Sequence, residues 1–309
     1  MVEAAGEVIG MRVFVTGVAG QLGCDVVYEL LRRGHEVTGS DILHQVSLPV
    51  PYEPLDITDE KAVIEVMARC HPDAVVHCAA WTAVDAAEDA DNQERVYRIN
   101  VDGTKYIAAA AKDVDAKMVY ISTDYVFDGT GDTPWEPDSA AYAPLNVYGQ
   151  TKYEGEQMVA QLLQKYFIVR IAWVFGQNGN NFVRTMLQLA QNHSKLRVVN
   201  DQIGTPTYTY DLARLLVDML GTDKYGYYHV TNEGKYISWY DFAVEIFRQA
   251  QVDVAVEPVS TKEYGLSKAK RPMNSRLDRS KLRSMGFEPL PDWKDALHRY
   301  LKQTAGDRG

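Results

Sequence analysis

Apolar and polar positions repeat with two alternating periods along the first half of the chain. The β-branched run at 12–16 predicts a strand, after which Leu22, Val26 and Leu30 fall on one face of a helix. The pattern continues with strands at 36–40, 73–80 and 117–122 and with helices at 60–69 and 91–112. Strands separated by helices predict an α/β fold with a doubly wound parallel sheet, whose ligands bind at the carboxyl ends of the strands.

A glycine motif joins the first predicted strand to the first predicted helix. It reads Gly17-Val18-Ala19-Gly20-Gln21-Leu22-Gly23, and such glycines let the backbone approach a pyrophosphate at the positive end of a helix. Its spacing, G-x-x-G-x-x-G, meets the dinucleotide fingerprint G-x-G-x-x-G only in part. Asp41, eighteen residues beyond Gly23, is placed to bind ribose hydroxyls, which favours NADH and would repel the 2′-phosphate of NADPH. The motif and Asp41 together indicate a Rossmann-type dinucleotide site.

Tyr148 and Lys152 form a second candidate motif. Because they are four residues apart on a predicted helix, they share one face and lie one turn apart. At about 5 Å and an effective dielectric of about 20, the ammonium attracts a phenolate by about 3 kcal/mol, which predicts a phenol pKa lowered by about two units. Such a phenol can protonate a carbonyl oxygen while a hydride reaches the carbonyl carbon. A solvated surface pair has the same spacing, so the catalytic interpretation depends on the neighbouring motifs.

The pattern changes after residue 175. A strand at 167–173 is followed by a polar, glycine-rich stretch, and the later elements are less regularly spaced. These elements are predicted helices at 181–191, 211–220 and 239–249 and a predicted strand at 227–230. We therefore predict a dinucleotide-binding domain at 11–175 and a smaller C-terminal substrate-binding lobe at 176–309, partly interleaved with it. Residues 1–10 are predicted to be an N-terminal extension, with Met11 as an alternative start.

Composition restricts the classes of partner. The chain has 309 residues, 46% hydrophobic and 24% charged, as in ordinary soluble globular proteins. Its formal charge of −10 argues against nucleic-acid and membrane partners, and no window reaches the length of a membrane span. Three cysteines and the lack of a secretory signal predict a reducing, cytoplasmic location. The Cys and His neighbours at 70–71 and 77–78 fit no common zinc spacing, so no metal is predicted.

Taken together, the glycine motif, the string Ser122-Thr123-Asp124-Tyr125-Val126-Phe127 and Tyr148-x-x-x-Lys152 resemble the extended short-chain dehydrogenase/reductases. Longer strings at 144–149, 179–182, 200–207 and 271–277 make the chain similar to one family among them, the dTDP-4-dehydrorhamnose reductases. The resemblance runs from Met11 to about residue 300 and includes both predicted lobes.

The resemblance implies an activity and a role for individual residues. NADH or NADPH would deliver hydride to C4 of dTDP-4-dehydro-β-L-rhamnose, giving dTDP-L-rhamnose for cell-surface polysaccharide synthesis. Tyr148 would protonate the incipient alkoxide, Lys152 would hold the nicotinamide ribose and bias the phenol, and Thr123 would hydrogen-bond the carbonyl or the phenol. The implied substrate contacts are Thr123, Asp124, Trp173, Asn181 and Arg271. The cofactor contacts predicted in all are Gly17, Gly20, Gln21, Leu22, Gly23, Asp41, Asp56, Ile57, Ala79, Ala80, Tyr148 and Lys152.

Alternatives remain open at this point. A nucleotide-sugar epimerase or dehydratase belongs to the same superfamily, although Tyr125 stands where the dehydratase pattern has a glutamate that assists loss of water. A non-catalytic regulatory subunit resembling the methionine adenosyltransferase β-subunit would retain the fold without the activity. Some members of the resembled family are dimers bridged by a metal, but the sequence offers no persuasive acidic set. Monomer and homodimer are therefore both retained as predictions.

Overall fold

We describe the protein from a computed structural model that covers residues 10–306. The predicted N-terminal extension at 1–10 lies outside the described residues, apart from Gly10. Between residues 10 and 306, no helix combines the length and the apolar character needed to cross a membrane.

The strands divide into one large sheet and three small ones. In chain order they are β1 (Arg12–Thr16), β2 (Glu36–Asp41), β3 (Tyr52–Pro54), β4 (Ala74–His77), β5 (Lys117–Thr123), β6 (Tyr166–Ile171), β7 (Val174–Phe175), β8 (Lys195–Val199), β9 (Ile203–Gly204), β10 (Thr207–Tyr208), β11 (Gly226–His229), β12 (Ile237–Ser238) and β13 (Ala255–Val259). The large sheet has seven parallel strands in the order β11-β6-β5-β4-β1-β2-β3. The strand order reverses between β1 and β4, the switch point at which ligands bind in such sheets. The predicted doubly wound parallel sheet is confirmed.

Helices cover both faces of this sheet. They are α1 (Gln21–Arg32), α2 (Glu60–Cys70), α3 (Ala90–Tyr97), α4 (Thr104–Asp113), α5 (Val147–Leu162), α6 (Phe182–Leu189), α7 (Thr209–Leu220), α8 (Trp239–Ala250), α9 (Thr261–Tyr264), α10 (Ser280–Ser284) and α11 (Trp293–Gly306). Side chains along β1 alternate between two cores, because successive residues of a strand point to opposite faces. Val13 and Val15 pack with α1 and α7, whereas Phe14 packs with α2, α4 and α5.

The C-terminal half of the chain contributes to both lobes. β11 pairs with β6 in the central sheet, and α7 packs against α1 in the same core as Val13. A separate apolar cluster joins α6, α8 and α11 through Val183, Phe242 and Leu297. Elements after residue 175 thus enter the central sheet as well as a separate cluster, while the division into two interleaved lobes at 175 and 176 stays a prediction.

Three predicted elements differ from the observed ones near the carboxyl edge of the sheet. The strand predicted at 73–80 ends at His77. The helix predicted at 91–112 is divided by a π-helical segment, Arg98–Gly103, between α3 and α4. The strand predicted at 167–173 ends at Ile171, and Trp173 has a left-handed backbone with φ of 53°. Hydrophobic periodicity does not locate these changes, because each involves about one turn or a few residues, which is shorter than the window over which a period is read.

Candidate active site

A single cleft opens at the carboxyl ends of the central strands. Its volume of about 720 Å³ lies within the range of ligand sites. The cleft is lined by Gly17, Gly20, Gln21, Leu22, Gly23, Asp41, Asp56, Ile57, Ala79, Ala80, Thr123, Asp124, Tyr148, Lys152, Trp173 and Arg271, among others. The structure thus brings together all the predicted site residues except Asn181.

The glycine turn shapes the cofactor end of this cleft. Gly17 has a φ of 71°, and a Cβ there would lie 2.7 Å from the backbone nitrogen of Ala79. A Cβ at Gly23 would overlap the carbonyl oxygen of Gly17. Gly20 is the N-cap of α1 and has no side chain, so no side-chain oxygen occupies the first amides of the helix. These amides remain free to bind a ligand in the cleft. This backbone cradle fits a pyrophosphate, as the spacing of the motif predicts.

Asp41 lies at the end of β2, where the sequence placed it. One of its carboxylate oxygens, Oδ2, accepts a hydrogen bond from the backbone of Ala19 at 3.0 Å. The glycine turn therefore fixes the carboxylate at the cofactor end of the cleft, and the second oxygen remains available for a ribose hydroxyl.

The catalytic candidates on α5 are positioned by its N-cap. The side chain of Asn146 accepts a hydrogen bond from the amide of Gly149 at 2.8 Å, which starts the helix so that Tyr148 lies in its first turn. The Tyr148 ring packs edge-on against Tyr125, with centroids 5.6 Å apart. Desolvation in the cleft raises the pKa of Tyr148 above its usual range, and the Thr123 hydroxyl acts in the opposite direction. The prediction of a lowered phenol pKa is therefore wrong, because desolvation is the largest influence on this group and disfavours the phenolate.

Lys152 is almost completely buried, with 3% of its surface exposed. Its Nζ lies 4.1 Å from the centroid of the Tyr120 ring. Desolvation lowers the pKa of Lys152 to about 7, and the neighbouring charge of Glu156 partly offsets this shift. The lysine consequently changes charge near neutral pH, where a general acid–base site works best.

Thr123 and Asp124 lie where β5 ends, facing Tyr148. The Thr123 hydroxyl accepts a hydrogen bond from the Tyr125 amide at 3.2 Å and donates one to Asp124 Oδ1 at 3.1 Å. Burial raises the pKa of Asp124 to about 6. Its other oxygen, Oδ2, is buried and meets no donor with hydrogen-bond geometry among the described residues, although the nearby Ser275 hydroxyl acts to lower the pKa of the carboxyl. An orphaned buried oxygen inside a cleft is a ready acceptor for a ligand hydroxyl.

The substrate end of the cleft has aromatic walls. The Trp173 indole stacks on Trp239, with centroids 3.8 Å apart and planes 15° apart. Gly204 leaves room for the Trp173 ring, since a Cβ there would lie 2.9 Å from Cε2 of the indole. Trp239 was not predicted, because it is the first residue of α8 in the distant second half of the chain.

Two predicted substrate residues are already engaged by protein groups. Arg271 forms an ion pair with Asp85 at 2.7 Å and donates to the Tyr125 hydroxyl at 3.1 Å. Arg271 nevertheless lines the cleft. Asn181 does not: it caps α6 by accepting from the Arg184 amide, and it donates to Gln21 at 3.2 Å. Asn181 thus links the start of α6 to α1, and its expected contact with substrate stays a prediction.

Another residue that the sequence did not reveal is Asn100, which lies in the π-helical segment. Its Oδ1 accepts from the Trp81 amide at 2.8 Å, and its Nδ2 donates to the Thr151 hydroxyl at 3.0 Å. The wider turn brings this amide side chain against α5 at Thr151. No periodic signal marks such a bulge, although bulges of this kind are frequent at functional sites.

Over residues 10–306, no group of three or more His, Cys, Asp or Glu side chains is arranged to hold a metal ion.

The glycine turn at the start of α1 and the Tyr148 and Lys152 face of α5, set at one edge of a parallel sheet, define a dinucleotide-binding oxidoreductase of the short-chain dehydrogenase/reductase type. Within that class, the chain belongs to the family described as the RmlD substrate binding domain, whose family model matches residues 11–305. The predicted membership is confirmed.

Individual relatives agree with this assignment. The chain is 39% identical to dTDP-4-dehydrorhamnose reductase of Aggregatibacter actinomycetemcomitans, covering 93% of this chain and 97% of the relative. It is 38% identical to dTDP-4-keto-6-deoxy-D-glucose reductase of Streptomyces niveus, covering 93% and 95%. The crystal structure of dTDP-4-dehydrorhamnose reductase from Bacillus anthracis in complex with NADP superposes with a TM-score of 0.88 and 41% identity, covering 96% of this chain and 100% of that one.

Proposed function

We propose that the protein reduces the C4 keto group of dTDP-4-dehydro-β-L-rhamnose to dTDP-L-rhamnose with NADH or NADPH, as a step in nucleotide-sugar supply for cell-surface polysaccharides. One observation carries the proposal: Tyr148, Lys152 and Thr123 line the same cleft as the glycine turn. The printed names of the relatives support the choice of substrate.

The chemistry follows from the protonation states of these groups. The bound nicotinamide cofactor supplies the hydride. A raised pKa keeps Tyr148 as a neutral phenol, so it holds the proton that the developing C4 alkoxide takes up. The Thr123 hydroxyl, whose single proton goes to Asp124 Oδ1 in the absence of substrate, would turn to the same oxygen and stabilise its charge in a water-poor cleft. Once the phenol has lost its proton, the ammonium form of Lys152 helps to stabilise the negative charge of the phenolate.

Substrate recognition is assigned to the other end of the cleft. The free Oδ2 of Asp124 is placed to accept a sugar hydroxyl. Trp173, backed by Trp239, offers apolar ring surface to a deoxysugar or a thymine. Arg271 has the planar donors that suit a pyrophosphate, with Asp85 holding the guanidinium in place until the anion arrives.

The Streptomyces niveus relative supports a second substrate, dTDP-4-keto-6-deoxy-D-glucose. Both substrates present the same carbonyl to the same acid, so the distinction lies in the contacts around the sugar ring. A regulatory subunit is disfavoured, since such a protein needs neither an orphaned carboxylate nor an aromatic wall in its cleft. Elimination of water is disfavoured because the residue after Asp124 is Tyr125, which has no carboxylate to assist the loss of water.

We also assign the protein to the cytoplasm, as a monomer or a homodimer without a nucleic-acid partner. The acidic net charge of −10 supports the last point, and the three cysteines are free. Light scattering coupled to gel filtration would determine the oligomeric state.

The experiment that tests the function is coupled oxidation of NADH and NADPH with enzymatically generated dTDP-4-dehydro-L-rhamnose, in parallel with its D-gluco counterpart. Stoichiometric oxidation with appearance of dTDP-L-rhamnose supports the proposal. Faster turnover of the D-gluco substrate would favour the second candidate. No oxidation by a folded sample that binds NADH would reject both.

A further inference from the structure

A buried ion pair lies under the catalytic groups. Glu156 and Arg170 are 1% and 0% exposed, and their side chains form two hydrogen bonds, at 2.7 Å and 2.8 Å. Desolvating two charges offsets most of their attraction, so a buried pair contributes little net stability compared with apolar residues of the same size. Stability alone therefore does not explain why this ion pair lies under the catalytic groups.

Glu156 belongs to the catalytic face of α5. Tyr148, Lys152 and Glu156 follow one another at intervals of four residues, so they form one stripe along the helix. Glu156 Oε1 accepts a hydrogen bond of 2.5 Å from Ser122 Oγ. Ser122 directly precedes Thr123, whose hydroxyl is the predicted partner of the phenol and the carbonyl. The carboxylate thus connects the end of β5 to the helix that carries the proton donor.

A second contact fixes the same strand against the same helix one turn earlier. The hydroxyl of Tyr120 donates to the carbonyl oxygen of Lys152 at 3.2 Å. The ring can approach so closely because residue 155 is glycine, and a Cβ there would overlap the Tyr120 hydroxyl. Tyr120 and Ser122 are two residues apart, so both lie on the face of β5 that packs against α5. The strand and the helix are therefore held together at two points.

Arg170 extends the connection to the loop that leads into α5. Its guanidinium donates to the carbonyl of Pro137 at 3.0 Å and to the Tyr142 hydroxyl at 2.9 Å. His229 completes the set: its Nδ1 donates to the Trp135 carbonyl, which leaves Nε2 as the acceptor for Arg170 at 3.3 Å. The loop that delivers Tyr148 is therefore tied to the same pair as Ser122.

We propose that Glu156, held by Arg170, is a positioning residue for the proposed reduction: it fixes Ser122 against α5 and thereby sets the Thr123 hydroxyl relative to Tyr148 and Lys152. This inference rests on the proposed function.

The charge of Glu156 has a second consequence, for Lys152. The titratable side chains that face the lysine are Cys78 and His77 from the end of β4, Tyr120 from β5, and Tyr148 and Glu156 from α5. Burial raises the pKa of the Cys78 thiol to about 12 and lowers that of His77 to about 3, so both are neutral at pH values near 7. The negative charge that supports the ammonium therefore comes from Glu156. Without it, Lys152 loses its proton at lower pH.

Two variants test the proposal. Ser122→Ala removes the hydroxyl that reaches Glu156 and leaves the ion pair intact. We expect its kcat to fall about tenfold, with the KM for each substrate within about twofold of wild type, because misplacement affects the reacting geometry more than binding. Glu156→Gln removes the charge, and the decline of kcat with rising pH should move to lower pH. Glu245→Gln is the matched control, since Glu245 is also a buried glutamate, bonded to Arg248 outside the cleft.

Binding gives a readout that does not depend on turnover. NADH titrations can be followed by fluorescence at a series of pH values. As the pH rises, affinity should decrease in all three proteins, and the midpoint of this decrease should lie at a lower pH in Glu156→Gln than in wild type or Glu245→Gln. Wild-type kcat and wild-type pH dependence in both Ser122→Ala and Glu156→Gln would overturn the proposal. If Glu156→Gln does not fold, the kcat of Ser122→Ala decides alone. A wild-type protein that binds NADH but reduces neither keto sugar rejects the proposed function instead, and the binding titrations then decide the positioning role.

Discussion

The Lys152 ammonium lies 4.1 Å from the centre of the Tyr120 ring, on the side of α5 that faces β5. Tyr120 also donates a hydrogen bond to the Lys152 carbonyl, so one tyrosine holds both the main chain and the side chain of the lysine. The lysine is consequently oriented by the strand before any ligand enters. Burial separately raises the pKa of Tyr148, so the phenol keeps its proton until an alkoxide forms.

Replacement of Tyr148 by phenylalanine should remove the proton donor while keeping the aromatic packing against Tyr125. We expect kcat to fall by about 10²–10⁴-fold, the usual contribution of a positioned general acid. NADH affinity should change little. Tyr153→Phe is the matched control, because Tyr153 lies on the same helix but packs against Tyr142. Equal losses in the two variants would show that α5 has been disturbed, and an unchanged kcat in Tyr148→Phe would remove Tyr148 as the donor.

The sequence was sufficient for the scaffold of the site. Strand and helix periods, the glycine motif and the spacing of Tyr148 and Lys152 are local features, and a parallel sheet brings strand ends to one edge whatever the details of packing. Thr123 and Asp41 were found for this reason, since each ends a strand that the apolar pattern identifies.

The features of the site that the sequence did not predict depend on contacts between distant parts of the chain. Trp239 stacks on Trp173 across two lobes, and Arg271 meets Asp85 from the opposite end of the sequence. The substrate contact expected of Asn181 stays a prediction, and the sequence did not reveal that its side chain also caps α6 through the amide of Arg184. The sign of the Tyr148 pKa shift depends on desolvation, which spacing along a helix does not report.

Coenzyme preference should depend on the charge of Asp41. Asp41→Asn retains an oxygen that can accept the Ala19 amide while removing the repulsion of a 2′-phosphate. We expect the ratio of kcat/KM for NADPH to that for NADH to rise about tenfold or more, as the loss of a like-charge contact of a few kcal/mol implies. Initial rates with each coenzyme give the ratio. An equal rise in Asp56→Asn, which removes another carboxylate of the cleft, would assign the effect to the overall charge rather than to the position of Asp41.

The glycine turn should not accept a methyl group at residue 23. The added Cβ would meet the backbone oxygen of Gly17, which cannot rotate away, so the turn and α1 would have to separate. We expect Gly23→Ala to weaken NADH binding by about tenfold or more, and to lower stability by about 1–3 kcal/mol, as overpacking commonly does. Gly221→Ala is the control, because its Cβ would make an ordinary contact at 3.4 Å. Wild-type affinity in Gly23→Ala would show that the backbone relaxes there.

Asp25 is a half-buried carboxyl on α1 that faces α7. Its Oδ2 accepts a hydrogen bond of 2.5 Å from the Thr209 hydroxyl on α7, and burial raises its pKa to about 6 from 3.8. The folded state therefore favours the protonated acid. Its stabilising contribution is complete below the unfolded pKa and is lost as the pH rises through about 6.

Asp25→Asn keeps an acceptor for Thr209 and cannot ionise, so it should be more stable than wild type at alkaline pH. The advantage is at most about 3 kcal/mol, from a shift of about two pKa units, and it should shrink as the pH falls below about 6. Urea unfolding of both proteins at several pH values measures the difference. Asp113→Asn, at an exposed position on α4, controls for the loss of one negative charge. A stability difference for Asp25→Asn that is the same at every pH would show that the Asp25 carboxyl does not titrate with the fold.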